Sequence, residues 1–80
     1  MNVVEFTIEP FVDGRPGPHV QAAVEAATEA GAVVDFGPFG STGRASDESM
    51  PAVVAAITRA AFANGATHVT LSVSREGEEG

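Results

Sequence analysis

Three polar side chains alternate with three apolar ones near the start of the chain. In VVEFTIEPF, Glu5, Thr7 and Glu9 interleave with Val4, Phe6 and Ile8. A strand sends successive side chains to opposite faces, so this order separates a core face from a face with two carboxylates and a hydroxyl. HVTLSVS, residues 68–74, repeats the scheme, with Val69, Leu71 and Val73 against Thr70, Ser72 and Ser74. Carboxylates accept hydrogen bonds and hold cations, and hydroxyls both donate and accept. Such a face can take a small polar ligand or a second subunit without making or breaking a bond. Left alone, it meets water. Glu5 and Glu9 on one face repel each other unless water, a cation or a partner's donor intervenes.

Covalent chemistry finds little to work with. The chain has no cysteine, hence no disulfide, thiolate metal site or cysteine nucleophile. His19 and His68 are the residues whose ordinary pKa lies near neutrality. His19 falls in the first turn of an expected helix, where the dipole disfavours a positive imidazole. No Ser–His–Asp order and no metal-ligand spacing links the two histidines, so both read as structural or solvent-exposed. The glycines of DGRPG and FGSTG follow neither the Walker nor the dinucleotide pattern. Arg15 and Asn64 are the residue types of an acylphosphatase-like hydrolase, but Asn64 sits at a helix end before a terminating Gly65. The expectation is a protein that is not an enzyme and carries no cofactor or metal.

The charge balance narrows the partners. Eleven acids stand against four arginines and no lysine, a net charge of −7. Nucleic-acid phosphates would be repelled, and a small charged partner is expected to be a cation. Three of the acids, Glu76, Glu78 and Glu79, fall in SREGEEG, so residues 76–80 are expected to form a disordered acidic tail. With no Tyr or Trp, an aromatic contact must come from one of five Phe. Phe36 and Phe39 are the candidates for stacking on a ligand ring. No apolar run approaches the ~18 residues of a membrane span, and the start lacks the form of a signal peptide, which points to the cytoplasm. Eighty residues suit one domain, read as 1–75, of a size that often gains stability by oligomerising.

The elements that must position the polar face follow from periodicity. After a first strand at 3–9, VDGRPGPH reads as a loop. A helix starts near Pro18, carries Val20, Ala23, Val24, Ala27 and Ala30 on one side, and ends at Gly31. AVVDF is a short strand, GPFG a turn, and GSTGRAS a weak strand or an extended arm. The second helix begins near Asp47–Met50, with Ser49 or Asp47 as cap and Pro51 in its first turn. Its stripe is Val53, Val54, Ile57, Ala60 and Ala61, and Gly65 ends it. Pro18-x-Val20-x3-Val24-x2-Ala27 matches Pro51-x-Val53-x3-Ile57-x2-Ala60, so the chain is a duplicated split βαβ unit. Two helices cover one face of a four-stranded antiparallel sheet. The expected fold is an α+β, ferredoxin-like βαββαβ sandwich with its other sheet face open. There the first strand pairs with the last, setting Glu5, Thr7 and Glu9 beside Thr70, Ser72 and Ser74 across two central strands.

At VEFTIEPF, GPHVQAAVEAA, GPFGST and GATHVTLSV the chain resembles the thiamine-binding family of small ferredoxin-like proteins, formerly uncharacterised, some of them tandem two-copy proteins. The resemblance runs from about Val3 to Ser74 and rests on the order and spacing of short segments. It implies the same fold, assembly into a homodimer or homotetramer through the sheets, and non-catalytic binding of thiamine or its aminopyrimidine part. By position it points to Thr7 on the first strand and to Phe39, Ser41 and Thr42 in the central stretch. Family members usually continue there into a Glu–Gly pair, where this chain has Arg44 and Ala45. Either the ligand differs from the family's, or Glu5 or Glu9 supplies the charge. With Ser72 from the last strand, the candidate ligand-binding set is Glu5, Thr7, Glu9, Phe39, Ser41, Thr42 and Ser72, on the open sheet face or at a subunit interface. The alternative is a structural or regulatory oligomerisation module that senses another metabolite, such as an amino acid.

Overall fold

The computed structural model describes residues 1–10, 17–37 and 40–76. The elements run β1 (Asn2–Glu9), α1 (Pro18–Glu29), β2 (Val33–Phe36), β3 (Ser41–Ala45), α2 (Met50–Ala63) and β4 (His68–Arg75). The strands form one antiparallel sheet in the order β2-β3-β1-β4, with both helices on one face. The ferredoxin-like βαββαβ sandwich is therefore the fold.

Periodicity and packing agree on the core. Val4, Phe6 and Ile8 of β1 are buried against Val20, Ala23 and Ala27 of α1 and Val53, Ile57 and Ala61 of α2. Val4, Val53 and Ile57 are fully enclosed. Each such side chain contributes roughly 1.5–3 kcal/mol by leaving water. The many alanines let two helices lie close over a small sheet.

Both helices end by the same device. Beyond α1, Ala32 N–H donates to the Ala27 carbonyl and Gly31 N–H to Thr28, at 3.0 and 3.1 Å. Beyond α2, Ala66 donates to Ala61 and Gly65 to Phe62, at 3.0 and 3.4 Å. This double closure needs a left-handed residue, and Gly31 and Gly65 supply it with φ of +113° and +104°. At the start of α2, Ser49 is the cap by position but makes no side-chain cap bond. The Ser46 hydroxyl accepts the Ser49 N–H instead, at 3.1 Å.

One open reading of the sequence is decided and another changes. GSTGRAS contains a true central strand, β3, whose short side chains had masked its periodicity. β4 is an edge strand and not a central one, so only β1 and β3 are flanked on both sides. Val73 accordingly faces the helix side opposite Val4 yet stays 46% exposed, because the helices cover the sheet edge only in part. Glu76 is held at the end of the sheet, its N–H donating to the Met1 carbonyl at 2.9 Å. The rest of the expected tail, 77–80, lies outside the described residues. No described helix is long and apolar enough to cross a membrane.

Candidate functional site

The register lays the open face out in rows. Directly opposed residues of an antiparallel pair point to the same side. Glu5 pairs with Thr42 on one flank and Ser72 on the other, and Thr42 pairs in turn with Asp35. One row therefore reads Asp35, Thr42, Glu5, Ser72 across all four strands. The next holds Val33, Arg44, Val3 and Ser74. On the other side Thr7 pairs with Thr70, and Glu9 with His68.

Beside the polar row lies a depression of about 430 Å³, within the size of small-molecule sites. From the open face of the sheet its polar lining is Glu5, Thr7, Thr42, Thr70 and Ser72. At one side of the hollow lie Gly37 and Gly40, which present no side chains and are joined by a Gly37 N–H to Gly40 carbonyl bond of 2.8 Å. A Cβ on Gly40 would sit 3.0 Å from Thr7 Cγ2.

The expected site residues separate into groups. Glu5, Thr7, Thr42 and Ser72 come together on the open face. Ser41 lines the depression too, but it pairs with Phe6 and Phe36 and so belongs to the helix side of the sheet, 5% exposed. Glu9 stands at the far end opposite His68, its carboxylate 3.8 Å from Nδ1. It lies about 13 Å from Glu5 along the strand, at ~3.3 Å per residue, which exceeds the ~8 Å screening length of physiological salt. The expected mutual repulsion is thus small. Phe39 lies outside the described residues, as does Arg15. Phe36 is half exposed and on the α1 side, away from the polar row.

Sequence reasoning missed Asp35. Its parity within VVDF is as good for one face as the other, and only pairing to Thr42 puts it beside Glu5. Arg44, the base of the central stretch, has carboxylates beside it. Its Nε–H donates to Glu76 Oε2 at 3.1 Å, and Nη1 lies 3.6 Å from Asp35 Oδ2. Two carboxylates thus answer the one guanidinium, and Glu5 is not among its partners.

The two histidines differ in burial and in reach. The buried His19 donates from Nε2 to the Pro10 carbonyl at 2.6 Å, tying the end of β1 to the start of α1. His68 is exposed and contacts Thr67 Oγ1 at 3.0 Å. Among the described residues no group of three or more His, Cys, Asp or Glu could hold a metal ion. The arrangement offers recognition by hydrogen bonds and charge.

No family model and no curated protein matches the chain. Solved structures do. A hypothetical protein from Methanocaldococcus jannascii superposes with a TM-score of 0.63 at 20% identity, covering 98% of this chain and 84% of that one. A domain of unknown function, DUF77, from Bacillus cereus gives 0.52 at 21% identity, over 91% and 71% of the two chains. A protein from Streptococcus pneumoniae gives 0.58 at 15% identity, over 96% and 87%. The likeness carries the fold alone. It is a likeness to small proteins, two of which are described as hypothetical or of unknown function.

Proposed function

We propose that this chain is a non-catalytic small-molecule binding protein that takes thiamine, or its aminopyrimidine part, on the open sheet face. The observation that carries the reading is the depression walled by Glu5, Thr7, Thr42, Thr70 and Ser72. An aminopyrimidine offers donors and acceptors that hydroxyls and a carboxylate can meet, and such pairing gives selectivity because an unmatched polar group is costly. The thiazolium of thiamine is a fixed cation, favoured by a face where Glu5 is unpaired with Arg44 and by a chain of net charge −7. The resemblance of VEFTIEPF, GPFGST and GATHVTLSV to the thiamine-binding family supports the same ligand.

The second reading, a structural or regulatory oligomerisation module sensing a metabolite such as an amino acid, draws on β4. That eight-residue strand ends the sheet, and an edge strand invites pairing with another chain. A homodimer or homotetramer is part of both readings.

Isothermal titration calorimetry of the purified chain with thiamine tests the proposal, with its pyrimidine alcohol and a mixture of free amino acids as comparators. Saturable heat with thiamine is the expected result. Silence with thiamine but heat with amino acids would replace the first reading by the second, and silence with all three would overturn both ligand assignments.

A further inference from the structure

The acids are spread unevenly along the chain. None of the eleven falls between Ser49 and Arg75, the stretch that forms α2 and β4 and carries Arg59 and Arg75. β4 is the outer strand of the sheet on the side where α2 packs against it. In a chain of net charge −7, that flank lets two copies meet without setting carboxylate against carboxylate. The other edge strand, β2, is four residues long and carries Asp35.

The free edge of β4 is unguarded. Edge strands are commonly blunted by Lys, Pro or a bulge. HVTLSVSR has no Lys and no Pro, and its register with β1 runs unbroken from Asn2–Arg75 to Glu9–His68. The ladder also fixes which main-chain groups face outward. Glu76 N–H donates to the Met1 carbonyl, so by alternation Ser74, Ser72 and Thr70 turn their groups to β1. Val69, Leu71 and Val73 are left with N–H and C=O pointing away from the sheet. Their side chains lie on the helix side, opposite Ile8, Phe6 and Val4. There Val73 stays 46% exposed, and Phe62 of α2 53%.

The strand is its own complement. Val69-Thr70-Leu71-Ser72-Val73 reads apolar, hydroxyl, apolar, hydroxyl, apolar in either direction. A two-fold axis beside Leu71 sets Val69 against the partner's Val73, and Thr70 against the partner's Ser72. No like charges oppose each other in that register, because His68 meets the partner's Ser74 and Arg75 the partner's Thr67.

We propose that a second copy of this chain docks on β4, by antiparallel β4–β4 pairing centred on Leu71, and that the two sheets become one of eight strands. The apolar side chains of the paired strands, with Phe62, close its helix side. On the open side the partner's Thr70 comes beside Ser72, which lines the depression. Each copy thus adds a hydroxyl to the other's polar face. That contribution rests on the reading of the open face as a ligand site, whereas the pairing itself does not.

Sedimentation equilibrium and amide hydrogen exchange of the ¹⁵N-labelled full chain test it. The expected mass is twice 8.1 kDa. The Val69, Leu71 and Val73 amides are expected to be protected like those of Thr70 and Ser72, which already bond to β1. Val73→Lys, at a half-exposed position, sets a cation against the partner's Val69. It is expected to weaken association by about tenfold or more and to release the three outward amides while Thr70 and Ser72 keep their protection. If that variant does not fold, the exchange pattern of the unaltered chain decides alone. A mass of 8.1 kDa at every concentration would overturn the proposal. So would a dimer whose Val69, Leu71 and Val73 amides exchange freely, since another face would then be paired. A β4-paired dimer that is silent to thiamine would overturn the proposed function and leave the pairing standing.

Discussion

Gly40 stands against Thr7 with no room for a side chain between them: a Cβ on Gly40 would lie 3.0 Å from Thr7 Cγ2 and 3.2 Å from the Phe6 carbonyl oxygen. The floor of the depression depends on that missing atom. Gly40→Ala is expected to cost about 1–3 kcal/mol, the range for one added methyl in a packed position, because the backbone carbonyl cannot swing aside. Urea unfolding measures the loss. The same variant is expected to weaken thiamine binding by at least tenfold in calorimetry.

Glu5 and Thr7 belong to the exposed side of β1, so their replacement should leave the fold intact. Thr7→Val and Glu5→Ala are expected to change unfolding free energy by no more than about 0.5 kcal/mol each. Thiamine binding is expected to disappear in both. A folded double variant that still binds would remove these residues from the site.

Arg44 is held by Glu76 and Asp35 at the surface, with about two-fifths of its side chain exposed. Surface pairs contribute little, so Arg44→Ala is expected to cost at most about 1 kcal/mol. It also frees Asp35 beside Thr42 and Glu5. Affinity for a cationic ligand should rise several-fold in low salt, with the gain shrinking as ionic strength increases. Titration at two salt concentrations reads both effects.

Gly31 and Gly65 hold the left-handed conformation that ends each helix. Alanine pays a steric penalty there of roughly 1–2 kcal/mol. Gly31→Ala and Gly65→Ala are each expected to lower stability by that amount. Space is open around Gly65, so its loss is purely conformational, whereas a Cβ on Gly31 also meets Ser49 Oγ at 3.4 Å. Thermal unfolding of the two single variants should therefore show equal or greater loss at Gly31.

His19 is the buried donor to Pro10. His19→Phe keeps a flat ring but strands the carbonyl, at a cost of about 1–3 kcal/mol in chemical denaturation. Because the bond ties β1 to α1 at the sheet end, the variant should disturb amide shifts at Val20 and Ile8 more than at Ser72.

The sequence alone determined the strand–helix order, the two glycine-terminated helices and the polar parity of Glu5, Thr7, Thr70 and Ser72. Each of these follows from local periodicity or from a single backbone requirement, and local rules need no knowledge of partners. β3 was harder to read, because Ser41, Thr42 and Gly43 lack the bulk that makes alternation visible. The expected fold already set β1 beside β4, but only the tertiary structure decided the register and the neighbours on the other flank. Pairing put Asp35 in the row with Glu5, set Ser41 on the helix side, and engaged Arg44 with carboxylates from β2 and from the far end of the chain. Register is a long-range choice, and a shift of one residue would have reversed every one of those assignments.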